Sequence, residues 1–387
     1  MSNIRLTLES CIQKLEKWIE EHEYKSYEPF DGLLSIFRPL TFNNLFLERI
    51  LMQVNRQSPI NIRPLLGIKP VESTKGRGYM AWGYLTLYKN SKDNSYKKKA
   101  LNCLNWLIEN KSPKFQDFSW ANHFDFASRG GKYTRDESII VWTALIGQVF
   151  LDAFELINNE KYLSVVESVT NWILKLPKEK TDSGICLSYL ADHMSSIHNS
   201  NMLGAAFLAR ASKYISNNSL REMAYEAMLY SCSRQNDDGS WYYAERADMH
   251  WIDNFHTGYN LDSLKCYIES TGDQTFLKNL RNGFKFYTDN FFEKNGQPKY
   301  YHDRAYPIDS QCASQSIDTL SNFMEFEKYS YDLAMKVAQW TIENMQGEDG
   351  HFYYRIYPLN IKAKTPMFHW AQATTYKALT NLYSKCN

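Results

Sequence analysis

The sequence carries almost no net charge, with 44 Lys and Arg against 43 Asp and Glu in 387 residues. So even a balance leaves no basic footprint, and neither nucleic acid nor an anionic membrane is expected as a partner. Glycine and proline are sparse, at 17 and 11, and never gather into a linker. One domain spanning residues 1–387 is therefore expected. The seven cysteines (Cys11, Cys103, Cys186, Cys232, Cys266, Cys312, Cys386) are scattered, odd in number and free of any C-x-x-C pair. That pattern excludes a disulfide framework and a thiol metal centre, and it predicts a reduced, cytoplasmic protein. No apolar run approaches the roughly 18–20 residues of a bilayer span. The opening "MSNIRLTLESCIQKLEKWIEEHEYKSY" lacks a basic segment, an apolar segment and a small-residue cleavage site, so no secretion signal is expected. No nucleotide or metal motif occurs, so no cofactor and no metal is expected.

Aromatic residues, by contrast, make up 15% of the chain. Most of these fill a core, but Tyr and Trp also offer flat apolar faces with a polar handle, which suits sugar rings. Strand signals are weak and helical periodicity is strong. Amphipathic helices open at Ser95, Lys161, Ser219, Thr275 and Tyr331, about 55–65 residues apart. Each is followed by a turn and a short extended piece, usually aromatic: "KSPKFQDFSWA", "TDSGICLSY", "NDDGSWYY", "NGQPKYYHD" and "GEDGHFYYR". Between them lie helices richer in Ala, Gly and Ser, such as "NSNMLGAAFLARASKY" and "TPMFHWAQATTYKALTNLY". Small residues let backbones approach, so these read as an inner set. The spacing fits two helices and two loops per repeat. Five clear hairpins over 89–387 and an irregular first hairpin region over 1–88 predict an all-α (α/α)6 toroid with short β-like returns between helices.

In such a ring the N-termini of the inner helices share one rim, where free backbone N–H groups favour anions. Polar residues fall there in every repeat: Arg129 and Asp136, His198 and Asn201, then Asp253, His256 and Asn260, then Tyr306, Asp309, Gln311 and Gln315, then His369, Trp370 and Gln372. Asp and Asn at such points are commonly helix caps, and Asp309 and Asn201 are each explained that way as well as any other. Capping does not explain His256 with Asn260, or Gln311 with Gln315, each pair four apart on one helix face. Within "DGSWYYAERADMHWIDNFHTGYN" (238–260) the first six residues are the aromatic return of the repeat. The rest leads into an inner helix, the expected cavity wall. A carboxylate beside an imidazole supplies acid–base chemistry near neutrality. Asp253, His256 and, from the next repeat, Asp309 are the catalytic candidates.

"QNDDGSW" (Gln235–Trp241) resembles the QxxxGxW motif of squalene and hopene cyclases, and "QGEDGHF" (Gln346–Phe352) is a looser copy. The resemblance implies ties between outer helices, not a reaction. The cyclases' DxDD acid has no counterpart, because Asp237 and Asp238 sit in the repeat turn. The Asp–Cys–His zinc set of protein prenyltransferases has none either, although Cys312 and His369 are present. "HNSNMLGAAFLAR", "DGSWYY…IDNFHTGYNLDSL" and "YPIDSQCASQSI" resemble bacterial proteins of surface-polysaccharide gene clusters, some labelled delta-aminolevulinic acid dehydratase. That dehydratase is a (β/α)8 barrel with catalytic lysines, and this sequence shows no such strand alternation. The fold is similar to unsaturated glucuronyl hydrolases, (α/α) polysaccharide lyases and N-acylglucosamine 2-epimerases. Lyases of this type place Asn, His, Tyr and Arg around a uronate. Asn254, His256, Tyr259 and Arg304 supply those types at a different spacing, so the likeness extends to fold and substrate class.

A carbohydrate-active enzyme follows as the expectation. It would act on a glycan or a uronic-acid-containing, lipid-linked or free oligosaccharide by acid–base chemistry of hydrolase, lyase or epimerase type. Substrate-binding residues would be His198, Asn201, Asn260, Arg304, Gln311, Gln315 and His369, with Trp251, Tyr259, Tyr306 and Trp370 stacking on sugar faces. Two alternatives differ in what they require. A type II terpenoid cyclase or prenyl-chain enzyme needs a dry aromatic cavity with one protonated Asp. A glycan-binding toroid without catalysis needs the stacking residues alone.

Overall fold

The computed structural model describes residues 2–386 except Arg129, so that rim candidate lies outside the described residues. The chain is an (α/α)6 toroid, as the repeats predict. Its helices are α1 (Ser2–Glu21), α2 (Leu45–Gln57), α3 (Thr74–Ser91), α4 (Asn94–Glu109), α5 (Ile140–Ile157), α6 (Glu160–Lys175), α7 (His198–Ala211), α8 (Ser219–Cys232), α9 (Asn254–Thr271), α10 (Leu277–Asn290), α11 (Ser310–Asn322), α12 (Tyr329–Met345) and α13 (Thr374–Lys385). A π-helical turn, Phe368–Ala373, leads into α13.

Helices α3, α5, α7, α9, α11 and α13 form the inner ring, each packed on the next and α13 back on α3. Composition decides which ring a helix joins. The inner α5, "IVWTALIGQVFLDAFELI", is apolar on nearly every face, and most of it is buried. The neighbouring α6 buries only one stripe, Tyr162, Val165, Val166, Val169, Trp172 and Ile173. Helix α5 is long and apolar enough to cross a membrane, against the expectation of no such run, but 72% of it is buried inside the ring.

The first hairpin is not the local unit expected over 1–88. Helix α3 pairs with α4, whereas α1 packs on α13, so one hairpin joins the two ends of the chain. The QxxxGxW-like turns tie the outer helices together as the resemblance implied. Gln235 Nε2 donates to the carbonyls of Gly239 and of Asn279 on α10. Gln346 Nε2 donates likewise to Gly350 and to Cys11 on α1, closing the outer ring through the chain termini. Gly239 has φ +91°, and a Cβ there would lie 2.4 Å from the Asn282 carbonyl, so only glycine fits between turn and helix.

The returns form three small sheets: β1 (Phe126–Ser128) with β2 (Gly131–Tyr133), β3 (Lys178–Thr181) with β4 (Gly184–Leu187), and β5 (Ile308–Asp309), β6 (Arg355–Tyr357) and β7 (Ile361–Ala363) in antiparallel order. The β5–β6 register sets Asp309 opposite Arg355. An N-terminal strap reaches the same rim, where Ser26 bridges Val71 and Tyr27 bridges Met367. The strap continues into α2, which stands outside both rings.

Candidate active site

The N-termini of the inner helices open into a cavity of about 730 Å³. Val141 and Trp142 reach it from α5, Phe255, His256 and Tyr259 from α9, and His369 and Trp370 from the π-helical turn. Arg49, Gln53 and Arg56, on one face of α2, complete the wall.

Asp253 is the N-cap of α9. Its Oδ1 accepts the His256 backbone N–H at 3.0 Å. Its Oδ2 lies 2.6 Å from His256 Nδ1 and accepts the Trp251 indole N–H at 3.0 Å. The carboxylate is 2% exposed, whereas the His256 side chain is 20% exposed and faces the cavity. Asp253 thus fixes the orientation of the imidazole through Nδ1.

A second carboxylate–imidazole pair stands at the same cavity, lined by His369 with Glu28 behind it. Glu28, from the N-terminal strap, lies against His369 Nδ1 and accepts the His369 backbone N–H at 3.0 Å. Both residues are buried. Glu28 is itself held in place by Asp31, whose Oδ2 accepts the Glu28 N–H at 3.0 Å and which is ion-paired with Arg63.

Asp309 does not have the place expected of a second catalytic carboxyl. It is wholly buried and caps α11 through the Gln311 N–H at 2.9 Å. Arg355 Nε at 2.5 Å and Trp370 Nε1 at 2.7 Å take up its oxygens. A carboxylate so engaged anchors the cavity wall rather than exchanging protons with a ligand.

The other candidates divide. Trp251, Tyr259, His369 and Trp370 line the cavity, and Trp251 stacks on Tyr243 at 4.5 Å. Asn260 lies in a narrow crevice beside His256. His198 and Asn201 are buried away from the cavity, in hydrogen bonds that hold α7 to neighbouring segments. His198 contacts Ser231 and Glu245, and Asn201 contacts Leu187, Ala227 and Ser231. Arg304 pairs with the adjacent Asp303 on the surface, and the half-exposed Tyr306 does not line the cavity. Gln311 is buried and donates to Tyr259 Oη at 3.1 Å. Gln315 faces a separate cavity of about 960 Å³ at the other end of the ring, where it donates to Asp262 at 2.7 Å.

Lys75, Arg56, Arg355 and Glu28 have no place among the sequence candidates. Lys75 opens α3 and lines the cavity floor, where its Nζ donates to Tyr259 Oη at 3.2 Å. Burial, helped by the charge of Lys377 and opposed by Glu28, pushes the Lys75 ammonium down to about 7. A lysine among the small and aromatic residues of "STKGRGYMAWGY" was the available signal, shared with Arg77 in the same string, which instead pairs with Glu72 and lies over Tyr24 and Trp106.

No protein-family model matches the chain, and no curated protein does. Solved structures do match in fold. One is the cellobiose 2-epimerase of Bacillus thermoamylovorans B4167, 9% identical with a TM-score of 0.64, covering 81% of this chain and 88% of that one. Another is a possible GH105 family member from Salmonella enterica serovar Paratyphi A, 11% identical with a TM-score of 0.63, covering 98% and 94%. A third is the GH76A α-1,6-mannanase of Salegentibacter sp. HEL1_6, 11% identical with a TM-score of 0.60, covering 81% and 90%. At these identities the likeness is one of fold. The terpenoid-cyclase alternative fits poorly with the site itself, because Arg49, Arg56, Lys75 and Arg355 stand among the aromatic rings that line its cavity, where that chemistry needs a dry shell.

Proposed function

We propose that this chain is a carbohydrate-active enzyme that moves a proton at a sugar carbon next to a carbonyl or carboxyl group, an epimerase or isomerase. The observation that carries this is the pair of imidazoles, His256 and His369, each backed by a carboxylate and both lining one cavity. With Nδ1 turned to the carboxylate, each ring has Nε2 left to take or give a proton, and the carboxylate stabilises the imidazolium that forms. One imidazole removes the proton from the carbon. The other, entering as imidazolium, gives its own proton to the opposite face, which inverts the centre, or to the neighbouring carbon while the hydroxyl proton passes between the two oxygens, which isomerises it; the rings end with their protonation states exchanged. Lys75, with an ammonium that titrates near neutrality, supplies positive charge to the enolate oxygen. Trp251, Tyr259 and Trp370 hold the ring by stacking.

The fold likeness to a cellobiose 2-epimerase supports this reading, and the likeness to a mannanase supports a sugar ligand in general. Glycoside hydrolysis needs two carboxyls flanking the scissile bond. Asp253 is engaged by His256 and Trp251, and Asp309 by Arg355 and Trp370. A place in polysaccharide assembly and a cytoplasmic location, where free thiols persist, are part of the same proposal.

The test is wash-in of solvent deuterium, read by NMR, over a panel of aldoses, ketoses and uronic acids in D₂O. Expected is exchange at one carbon, cut by about 10²-fold or more in His256→Gln and in His369→Gln. Glycosidic cleavage without wash-in would return the site to a hydrolase. Binding with neither would leave a glycan-binding toroid.

A further inference from the structure

We infer that the sugar taken by this cavity carries an anionic group, a carboxylate or a phosphate, seated on Arg56 and Arg355. The inference rests on the proposed reading only in taking the ligand to be a sugar. Four cations, Arg49, Arg56, Lys75 and Arg355, line the cavity, and Asp253 is the single carboxylate among the described residues that does. Both Asp253 oxygens are already engaged.

Arg56 and Arg355 meet around one side chain. Arg56 Nε donates to Tyr354 Oη at 3.3 Å, and the Arg355 guanidinium lies 4.6 Å from the centroid of the same ring. Arg355 is 2% exposed. Asp309 binds it through Nε alone, and Nη1 has only a 3.4 Å contact with Gln57 Oε1. Arg56 has no carboxylate within ion-pair distance among the described residues, and neither of its Nη atoms has a hydrogen-bond partner there. Its guanidinium packs 4.7 Å from the centre of the Phe30 ring. Two guanidiniums on one wall with one carboxylate behind them pay desolvation and mutual repulsion. A ligand anion removes both costs, and the planar guanidinium fork fits the two oxygens of a carboxylate or phosphate. A neutral sugar would leave Arg56 without a counter-charge, since Asp309 serves Arg355 alone.

Calorimetric titration of the full chain with glucuronate, galacturonate and glucose 6-phosphate, each against glucose or galactose, tests this. Anionic sugars should bind about tenfold tighter or more, the span of a charge-assisted hydrogen bond. Arg56→Gln should erase the preference, weakening anionic sugars by the full factor of about ten and neutral sugars by much less. Inorganic phosphate should displace the anionic sugars from the wild-type chain, a measurement that needs no variant. Tight binding of uronates alone identifies a carboxylate, and of the sugar phosphate alone a phosphate. Neutral sugars binding as well as charged ones, or Arg56→Gln weakening both alike, overturns the inference. Deuterium wash-in is read separately: anion preference without wash-in retains this site and removes the proton-transfer reading, and the converse also holds.

The outer face of α2 carries an independent inference, that two copies of this chain meet there. Of nineteen exposed large apolar side chains in the described chain, twelve lie between Leu34 and Leu65. Phe46, Ile50 and Val54 line one stripe of α2, and Phe42 beside it is 81% exposed. Summed over the twelve, the exposed apolar surface is on the order of 1,000 Å², against about 800 Å² per partner in a standard interface and 300–600 Å² for the largest patch on a typical monomer. Residues 26–68 contain no lysine. Their four arginines point elsewhere: Arg38 pairs with Asp125, Arg63 is buried on Asp31, and Arg49 and Arg56 line the cavity. A helix that lies on an anionic membrane carries Lys and Arg around its apolar face. This face has none, which favours a neutral apolar partner surface, and a two-fold pair of identical faces is the commonest such arrangement. Sedimentation should find a dimer at micromolar concentration and a monomer for Phe46→Glu with Ile50→Glu, with melting of the fold otherwise unchanged. A monomeric wild type, or binding to lipid vesicles that the same variant loses, overturns it.

Discussion

Asp253→Asn separates positioning from capping within a single side chain. The carboxylate accepts three donors: the His256 backbone N–H at 3.0 Å, the Trp251 indole N–H at 3.0 Å and His256 Nδ1 at 2.6 Å. An amide has one oxygen and one NH₂, so it cannot satisfy all three. With the oxygen on the capping side, the NH₂ meets the indole N–H donor to donor. His256 can then accept only by moving its proton to Nε2, which removes the base. With the amide reversed, the indole and imidazole keep a partner and the helix loses its cap. A buried donor left without a partner costs about 1–3 kcal/mol, and a lost cap about 1 kcal/mol. The expected loss of stability is therefore about 1–3 kcal/mol, seen in urea unfolding. The wash-in rate should fall by about 10²–10⁴-fold, the range of a missing general base. Asp253→Asn exchanging within threefold of wild type, alongside an inactive His256→Gln, would falsify the positioning role.

Two further outcomes follow from the same structure. Lys75→Met removes a buried ammonium whose folded pKa is depressed to about 7 from 10.5. The unfolded chain holds that proton more tightly, so wild-type stability rises from about pH 7 to pH 10. The variant should be more stable than wild type by a few kcal/mol at most below pH 7, with the gain vanishing towards pH 10; a gain independent of pH refutes the assignment. Gly239→Ala forces a Cβ to 2.4 Å from the Asn282 carbonyl, whereas Gly272→Ala, also at positive φ, meets open space. Unfolding midpoints should show the first costing more than about 2 kcal/mol and the second about 1 kcal/mol, and equal losses would remove the helix-tie argument.

The ring was legible because its repeat has a period, and period survives in sequence where contacts do not. Alternation of a one-striped helix such as α6 with an all-round apolar one such as α5 marks outer and inner layers directly. The turn "QNDDGSW" marks the tie to the next outer helix because Gln235, Gly239 and Trp241 each do one local job. What the period could not show was how the ring closes. Helix α1 packs on α13, at the opposite end of the chain, and no local pattern records that partnership. Helix α2 was also hidden, since it belongs to neither ring and so repeats nothing.

The candidate site was legible only where its contacts are local. Asp253 and His256 stand three residues apart across a helix start, so capping and ion pairing leave a visible local signature. Glu28 and His369 make the corresponding pair from positions 341 residues apart, and nothing near Glu28 in the sequence marks it. The same holds for Arg355, which meets Asp309 only through the β5–β6 register. Sequence spacing therefore favoured Asp309 as a partner for Asp253, because both follow the repeat at the same offset. The fold gives equal offsets unequal surroundings: one carboxylate backs an imidazole in the cavity, and the other neutralises an arginine in its wall. A toroid makes this difference routine, since each repeat presents the same backbone position to a different neighbour. Of the two imidazoles in the proposed reading, His256 comes from a regular repeat position and His369 from the π-helical turn, where the ring departs from its repeat and the N-terminal strap supplies Glu28.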